Sequence, residues 1–413
     1  MAQPIQRFLH VEAAGGLLLV AAAVVALVWA NSPWSASYDS LWATELTIDL
    51  GGHALSEDLR HWVNDGLMAL FFFIIGLEIK HELVSGELRT LRQAAIPIAG
   101  ALGGMAVPAL IYAAFNAGGD GGAGWGIPMA TDVAFAVGVL ALLGPRAPSA
   151  LKVLLLGLAI VDDIGAIVVI AVFYADGLDW AWLGAAVLGL GLVAVLQKLN
   201  VRFLPVYAVI GTGVWLATFE SGVHATIAGV ALGLLTPARP FIRDVDADRI
   251  ADHLSTDTDV TAAEVRATSF ELREAVATTE RLADQLHPWT SYVIVPVFAL
   301  ANAGVALSGD SLGDAAGSAV TLGVVVGLVA GKVLGVAGAI ALAVRFGVGR
   351  LPEGITMRHV VGMAALAGIG FTVSIFVAGL AFDDPALADQ AKIGVLAASA
   401  LAAGLGTLIL RRR

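Results

Sequence analysis

The sequence predicts an all-α polytopic membrane protein with about twelve transmembrane helices. Three observations carry this prediction: the composition, a series of long apolar segments, and the positions of the basic residues. Of the 413 residues, 58% are hydrophobic and 14% are charged, whereas a soluble domain carries about 25% charged residues. The mean hydropathy of +0.85 leaves no polar shell for a globular domain. It also excludes a disordered, fibrous or nucleic-acid-binding protein.

Twelve apolar segments are candidates for helices that cross a bilayer, for which about 20 residues suffice. Hydrophobic residues run continuously within them, whereas membrane-spanning strands require alternation, so the segments predict helices. Eight lie in residues 1–238, a charged loop follows at 239–288, and four lie in 289–413. The segments are residues 12–30, 59–79, 94–116, 123–143, 151–175, 181–197, 203–219, 222–236, 289–306, 317–344, 357–381 and 390–410.

Basic residues set the predicted orientation, because lysine and arginine collect in cytoplasmic loops. When the N-terminus is assigned to the cytoplasm and the sides alternate, 20 of the 23 lysines and arginines fall in inside segments. Arg60 and Lys392 fall outside, and Lys332 lies deep within a span. Both termini are therefore expected to be cytoplasmic.

Two loops carry recognisable patterns. In the inside loop, Thr261-Ala-Ala-Glu264 is a capping box that predicts a helix from about 261 to 286, although a solvated linker fits equally well. In the first outer loop, alternating residues on both sides of Gly51-Gly52 predict a β-hairpin near residues 45–56. A single hairpin is only marginally stable in water. We therefore expect it to pack on a partner, such as a second copy of the chain.

Four ionisable residues lie at membrane depth. Asp162 and Asp163 are about 17 Å along a predicted helix of about 37 Å that covers residues 151–175. Lys332 is similarly central in its span, and Asp132 lies in the fourth span. Each such charge costs ~2.5–3.5 kcal/mol at the centre of a bilayer. The four side chains are therefore expected to face one another or a water-filled cavity.

Three acids against one base are more than a structural ion pair needs, although a helix-linking Asp–Lys pair is the plainer interpretation. Neighbouring residues on a helix point about 100° apart, so Asp162 and Asp163 cannot both face Lys332. One can pair with the lysine while the other faces a cavity. A carboxylate in that position is a site where a proton and a hard cation such as Na⁺ compete.

Two spans are poor continuous helices near their middles. Pro128 precedes Thr131-Asp132 in the fourth span, and the eleventh contains Gly368-Ile-Gly370, so both helices are expected to break there. Interrupted helices at corresponding places in two halves indicate a transporter with inverted-topology repeats, whose site lies where these helices cross near the midplane. Broken helices expose dipole ends of both signs, which Asp132 and Lys332 are suited to balance.

Over about residues 8–410 the sequence resembles the NhaA-type sodium/proton antiporters. The similar strings, in chain order, are 64–80, 130–135, 161–166, 222–226, 286–289, 301–304, Gly331-Lys332 and 368–374. The resemblance implies a bacterial inner membrane location and a homodimer formed through the hairpin at 45–56. It implies no resident cofactor, with Na⁺, Li⁺ and H⁺ as transported ions only.

The resemblance also implies a role for each residue of the site. Asp163 is expected to be the principal Na⁺ and H⁺ ligand, with Asp162 as a second ligand and as the partner of the charge-compensating Lys332. Thr131 and Asp132 are expected to form the broken-helix part of the ion site. Paired aspartates, rather than Asn-Asp, are typical of the electrogenic members, which exchange two protons for one Na⁺.

Four further residues correspond to positions that sense pH or line the cytoplasmic entrance in this family: Glu78, Glu82, His224 and His287. The chain departs from the family pattern close to them, at His81, Ala283 and Asp284. These departures concern the pH response, whereas the ion-site residues match the family.

The implied function is exchange of cytoplasmic Na⁺ or Li⁺ for external H⁺ by alternating access, regulated by pH, and not an enzymatic activity. A cation uniporter or channel is the first alternative, which Lys332 disfavours because a fixed positive charge opposes cation flow. An intramembrane aspartyl protease is the second. Such proteases carry a Gly-x-Gly-Asp motif, whereas here Phe371 follows Gly368-Ile-Gly370.

Overall fold

The structure, a computed structural model, describes residues 2–50, 53–144, 147–175, 177–241, 261, 269–270 and 272–411. Most of them are helical. The α-helices are α1 (Ala2–Ala30), α2 (Ser35–Trp42), α3 (Leu59–His61), α4 (Met68–Val84), α5 (Leu91–Asn116), α6 (Val133–Leu142), α7 (Ser149–Phe173), α8 (Trp180–Lys198), α9 (Leu204–Glu220), α10 (Thr226–Leu235), α11 (Thr278–Trp289), α12 (Val295–Asn302), α13 (Gly309–Gly317), α14 (Ala319–Val326), α15 (Gly338–Arg345), α16 (Met357–Leu366), α17 (Phe371–Ala381) and α18 (Pro385–Arg411).

The remaining elements are 3₁₀ helices, π-helical turns and two strands. The 3₁₀ helices are Glu87–Arg89 and Asp120–Met129; the π turns are Trp62–Leu67, Thr290–Ile294, Gly327–Gly331 and Val333–Ala337; and the strands are β1 (Glu45–Leu50) and β2 (His53–Asp58).

Each of the twelve predicted spans contains helix, which confirms the all-α fold class of a multi-pass membrane protein. Among the described residues, five helices are individually long and apolar enough to cross a bilayer, and three bent pairs raise the number to eight. The other four predicted spans are not among these eight. Two of them contain α9 and α10, which have only 17 and 10 residues, and the other two contain α4 and α12.

A two-stranded antiparallel sheet stands where the sequence predicts a hairpin. The register pairs Glu45 with Asp58 and Leu50 with His53, and the glycines that connect the strands lie outside the described residues. Leu46 and Ile48 on β1 are 45% and 41% exposed. The hairpin therefore presents apolar side chains that the described residues of this chain do not cover.

The helix predicted for about 261–286 lies partly outside the described residues. Within them, Thr261 is not helical, and residues 275–277 form a turn ahead of α11. A single continuous helix over that range is therefore wrong. The ninth span instead begins as helix at Thr278, eleven residues before its apolar segment.

Two helices are interrupted, and their interruptions contact each other. The 3₁₀ helix Asp120–Met129 bends by 45° into α6, and α16 bends by 48° into α17. The backbone N–H of Asp132 donates to the carbonyl of Ile369 over 2.6 Å, which joins the two breaks directly. Pro128 lies at the first break and the Gly368–Gly370 segment at the second, as expected for residues that weaken a helix. This confirms the predicted crossing of two interrupted helices.

Close backbone contact joins α5 to the π turn Val333–Ala337 beside this crossing. A Cβ on Gly103 of α5 would lie 2.2 Å from the carbonyl oxygen of Gly335, and a Cβ on Gly335 would lie 2.1 Å from that of Gly103. Only glycine at both positions allows this approach. Lys332 lies three residues before Gly335, so the contact places the lysine side chain in the interior, where it is fully buried.

A second close contact holds α4 against α10. A Cβ on Gly229 would lie 2.1 Å from the carbonyl oxygen of Ala69, and one on Gly233 would lie 2.5 Å from that of Phe73. Small residues at such positions let membrane helices approach closely. The contact positions α4, which carries Glu78, beside the interrupted helices.

Candidate ion-binding site

A buried ion pair lies next to the helix crossing. Nζ of Lys332 is 2.7 Å from Oδ2 of Asp162, and neither side chain is exposed. The lysine, which lies between two π turns, also donates to the carbonyl oxygen of Met129. That carbonyl ends the 3₁₀ helix Asp120–Met129, so Lys332 places positive charge at a negative helix end.

The second oxygen of this carboxylate is unsatisfied. Oδ1 of Asp162 is buried and has no hydrogen-bond partner among the described residues. Buried polar atoms are nearly always paired, and an exception calls for an explanation such as a functional role. A proton or a cation bound at Oδ1 would supply the missing partner.

Asp163 points into a cavity instead of towards the lysine. The cavity has a volume of about 80 Å³, which is room for a few water molecules. Its polar lining consists of Glu78, Thr131, Asp132, Asp163, His287, Thr290, Ser291 and Thr372. Asp163 itself is 7% exposed. The neighbouring aspartates therefore diverge as their helical spacing requires, with one paired and the other facing the cavity.

Asp132 caps the N-terminal ends of α6 and α17, the second halves of the two interrupted helices. Its Oδ1 accepts from the backbone N–H of Phe135 over 2.9 Å, at the start of α6. Its Oδ2 accepts from the backbone N–H and the hydroxyl of Thr372 over 3.1 and 2.6 Å, at the start of α17. One carboxylate thus satisfies orphan donors of two helices and places negative charge at two positive dipole ends.

Two hydroxyls complete the crossing. The hydroxyl of Thr131 donates to the backbone carbonyl of Ala367 over 2.9 Å. The hydroxyl of Ser374 donates to the backbone carbonyl of Ile127 over 2.7 Å. Both carbonyls lie near the end of a helical half. Because its hydrogen is committed to Ala367, the Thr131 oxygen can offer only lone pairs to a bound ion.

The four residues predicted to sense pH or line the entrance lie in different places. Glu78 and His287 line the cavity with Asp163. Glu82 lies beyond it, in a polar depression near the end of α4 that Arg89 also lines. His224 is not part of the cavity wall: its Nε2 is 2.5 Å from the carbonyl oxygen of Tyr174, just after the end of α7.

The positions that depart from the family pattern lie outside the cavity wall. Asp284 is exposed on α11, whereas Ala283 and His81 are half-buried. Nδ1 of His81 has no hydrogen-bond partner among the described residues. The aspartates, Lys332 and Thr131 are thus assembled at one site independently of these three positions.

Sequence reasoning missed several polar groups of the site. Thr372 lies within the segment 368–374 that resembles the family, but nothing in the sequence shows that its side chain contacts Asp132, 240 residues away. The carbonyl of Met129 carries no signal in a sequence. Thr290 and Ser291 follow His287 by three and four residues, which places them on the same helix face, and this spacing could have identified them.

Comparisons with known proteins show the family to which the chain belongs. Residues 6–410 match the family described as Na⁺/H⁺ antiporter 1. The chain is 49% identical to a Na⁺/H⁺ antiporter NhaA of Rhodopirellula baltica over 98% of this chain and 94% of that relative. It is 48% identical to the Na⁺/H⁺ antiporter NhaA 2 of Sorangium cellulosum over 99% of this chain and 90% of that relative. Because the match covers nearly the whole length of the chain, the protein belongs to the NhaA-type Na⁺/H⁺ antiporter family.

Proposed function

We propose that the protein is a secondary transporter that exchanges cytoplasmic Na⁺ or Li⁺ for external H⁺, for sodium and pH homeostasis. One observation carries the proposal. Asp163 opens into a cavity, beside an Asp162 whose Oδ1 has no partner among the described residues. A hard cation prefers oxygen ligands, and both carboxylates bind protons as well. The same oxygens can therefore hold either ion but not both.

Charge counting supports two protons for each Na⁺. Asp162 and Asp163 together carry two negative charges when ionised, against one positive charge on Lys332. One Na⁺ bound to the ionised carboxylates neutralises this group of three. Protonation of both carboxylates instead leaves one positive charge, so the two loaded forms differ in charge. Exchange between them is then electrogenic.

The interrupted helices support alternating access. Their breaks are joined through Asp132, Thr131 and Ile369, so a change at the ion site acts on both helices together. Binding of Na⁺ to Asp162 Oδ1 also competes with the Lys332 pair. In this mechanism only the forms loaded with protons or with a cation change the side to which the cavity opens.

The alternatives have less support. The family consists of antiporters, so an enzyme is not the function of this chain. The geometry agrees, because both oxygens of Asp132 accept hydrogen bonds from helix ends, whereas a protease dyad needs two acids free to act on a peptide. A channel would require cations to pass the fixed positive charge of Lys332, which is fully buried 2.7 Å from Asp162.

The finer properties of the transporter are part of the same proposal. We propose a bacterial inner membrane location, cytoplasmic termini, and a homodimer whose contact includes the exposed Leu46 and Ile48 of the hairpin. We further propose pH regulation through Glu78 and His287 at the cavity, with Glu82 and His224 acting at a distance.

The experiment is transport by everted membrane vesicles from cells that lack other sodium/proton antiporters. Addition of Na⁺ or Li⁺ should dissipate an imposed pH gradient, and Asp163→Asn should abolish the response. Asp310→Asn, at an exposed acid in the first turn of α13, is the matched control and should transport normally. In proteoliposomes, clamping the voltage with potassium and an ionophore should accelerate exchange if it is electrogenic. A normal response from Asp163→Asn would show that the assigned site is wrong.

A further inference from the structure

One wall of the cavity carries a row of polar side chains, and two of them, Thr290 and Ser291, have no role in the mechanism proposed above. His287, Thr290 and Ser291 have the spacing i, i+3 and i+4, which puts them on one face of a helix. All three line the cavity together with Asp163. A π turn begins at Thr290, and such turns inside helices are frequent at functional sites.

The hydroxyl of Thr290 is held in a defined direction. It donates to the carbonyl oxygen of His287 over 2.8 Å, and the residue is only 5% exposed. Because the hydroxyl hydrogen is already used, the oxygen can only accept a hydrogen bond or bind a cation. The side chain therefore presents lone pairs to whatever occupies the cavity.

Ser291 is held at the same wall by the first helix. A Cβ on Gly15 of α1 would lie 2.8 Å from Cβ of Ser291, so the two backbones meet with no space for a larger residue. Ser291 is 8% exposed. Ser291 lines the same cavity as Thr290.

Much of the remaining wall is hydrocarbon. Apolar side chains from five different helices contribute to the rest of the lining, among them Phe71, Ile75, Val133, Leu156, Val295 and Val373. An ion that moves between Glu78 and Asp163 loses water wherever the wall is apolar. Protein oxygens that replace lost water ligands are the usual solution in ion pathways.

We propose that the hydroxyl oxygens of Thr290 and Ser291 form an uncharged binding position for Na⁺ and Li⁺ adjacent to Asp163, which we call the cation-binding step. This inference rests on the antiport function proposed above. Unlike a carboxylate, a hydroxyl does not take up a proton at neutral pH. The step therefore raises the affinity for the cation from the cytoplasmic side without itself carrying the exchanged proton.

The test measures Na⁺- and Li⁺-dependent proton movement in everted vesicles, whose outer face is the cytoplasmic side. Thr290→Val and Ser291→Ala should each raise the KM for both cations roughly fivefold, as for one lost polar contact of about 1 kcal/mol. The maximal rate should stay unchanged. Thr290→Ser, which retains the hydroxyl, should keep the original KM. The matched control is Thr218→Val, because the Thr218 hydroxyl donates over the same 2.8 Å to Val214 within α9, away from the cavity.

The outcomes separate this inference from the antiport function. An unchanged KM in both Thr290→Val and Ser291→Ala would overturn the cation-binding step while leaving the antiport function intact. So would an equal loss of rate in these variants and in Thr218→Val, which would indicate a general packing effect. If Thr290→Val does not fold, Ser291→Ala alone decides. If the unmodified protein moves no protons in response to Na⁺, the antiport function itself fails.

Discussion

Replacing Lys332 with methionine removes the positive charge from the buried ion pair while keeping a long flexible side chain. In the intact protein, Nζ lies 2.7 Å from Asp162 and also bonds to the carbonyl of Met129. The variant leaves a fully buried carboxylate without compensation. Removing one partner of a buried ion pair typically costs about 3–5 kcal/mol, and an orphaned carbonyl adds about 1 kcal/mol or more. We expect a clear loss of thermal stability in detergent.

The matched control is Lys392→Met on α18. Lys392 lies 3.9 Å from Asp389, and its removal leaves a carboxylate that is 48% exposed and therefore hydrated, so the same substitution should cost about 0–1 kcal/mol there. The double variant Lys332→Met/Asp162→Leu should recover much of the stability, since neither charge is then buried alone. The assay is the temperature at which the monodisperse peak is lost in size-exclusion chromatography. Equal melting temperatures for Lys332→Met and Lys392→Met would refute the reasoning.

Three further predictions concern packing, the charged loop at 239–288 and assembly. Gly103→Ala places a methyl group 2.2 Å from a carbonyl oxygen and should destabilise by about 1–3 kcal/mol, whereas Gly191→Ala, with nothing within 4 Å, should stabilise by roughly 0.5–1 kcal/mol; melting curves in detergent distinguish them. Glu274→Ala removes a buried carboxylate that lies 3.1 Å and 3.4 Å from two partly exposed arginines and should lower stability by about 1–2 kcal/mol, while the exposed Glu280→Ala should change it by less than about 0.5 kcal/mol. Ile48→Asp on the exposed strand should convert the proposed dimer to a monomer in light scattering without loss of folding, and a dimer that persists would exclude the hairpin as its main contact.

Much of the fold follows from the sequence because hydrophobicity is a local property. The continuous apolar segments predict the helices, and Gly51-Gly52 between alternating residues predicts the hairpin. Pro128 and the Gly368–Gly370 segment predict the two breaks. The error at 261–286 has the same origin. A capping box indicates where a helix can start. It does not indicate where the helix ends, and no local sequence pattern predicts the turn at residues 275–277 before α11.

The candidate site was predictable only in part. The cost of burying charge identifies Asp162, Asp163 and Lys332 as residues that need partners, whatever the arrangement of the helices. It does not say that Asp162 pairs with the lysine while Asp163 faces the cavity. That choice depends on how α7 is rotated against its neighbours.

By itself, the sequence determines which segments enter the bilayer and which charged residues need partners inside it. The reason is that the free energy of transfer from water to the bilayer is a property of each residue type. Only the tertiary structure decides who those partners are. Lys332 and Asp162 are 170 residues apart in the chain, and Thr372 and Asp132 are 240 apart. Their pairing depends on backbones that approach closely at Gly103 and Gly335 and on helix ends that meet at one carboxylate. Hydrogen bonds act over about 3 Å, so they are decided by the positions of atoms in space and not by composition.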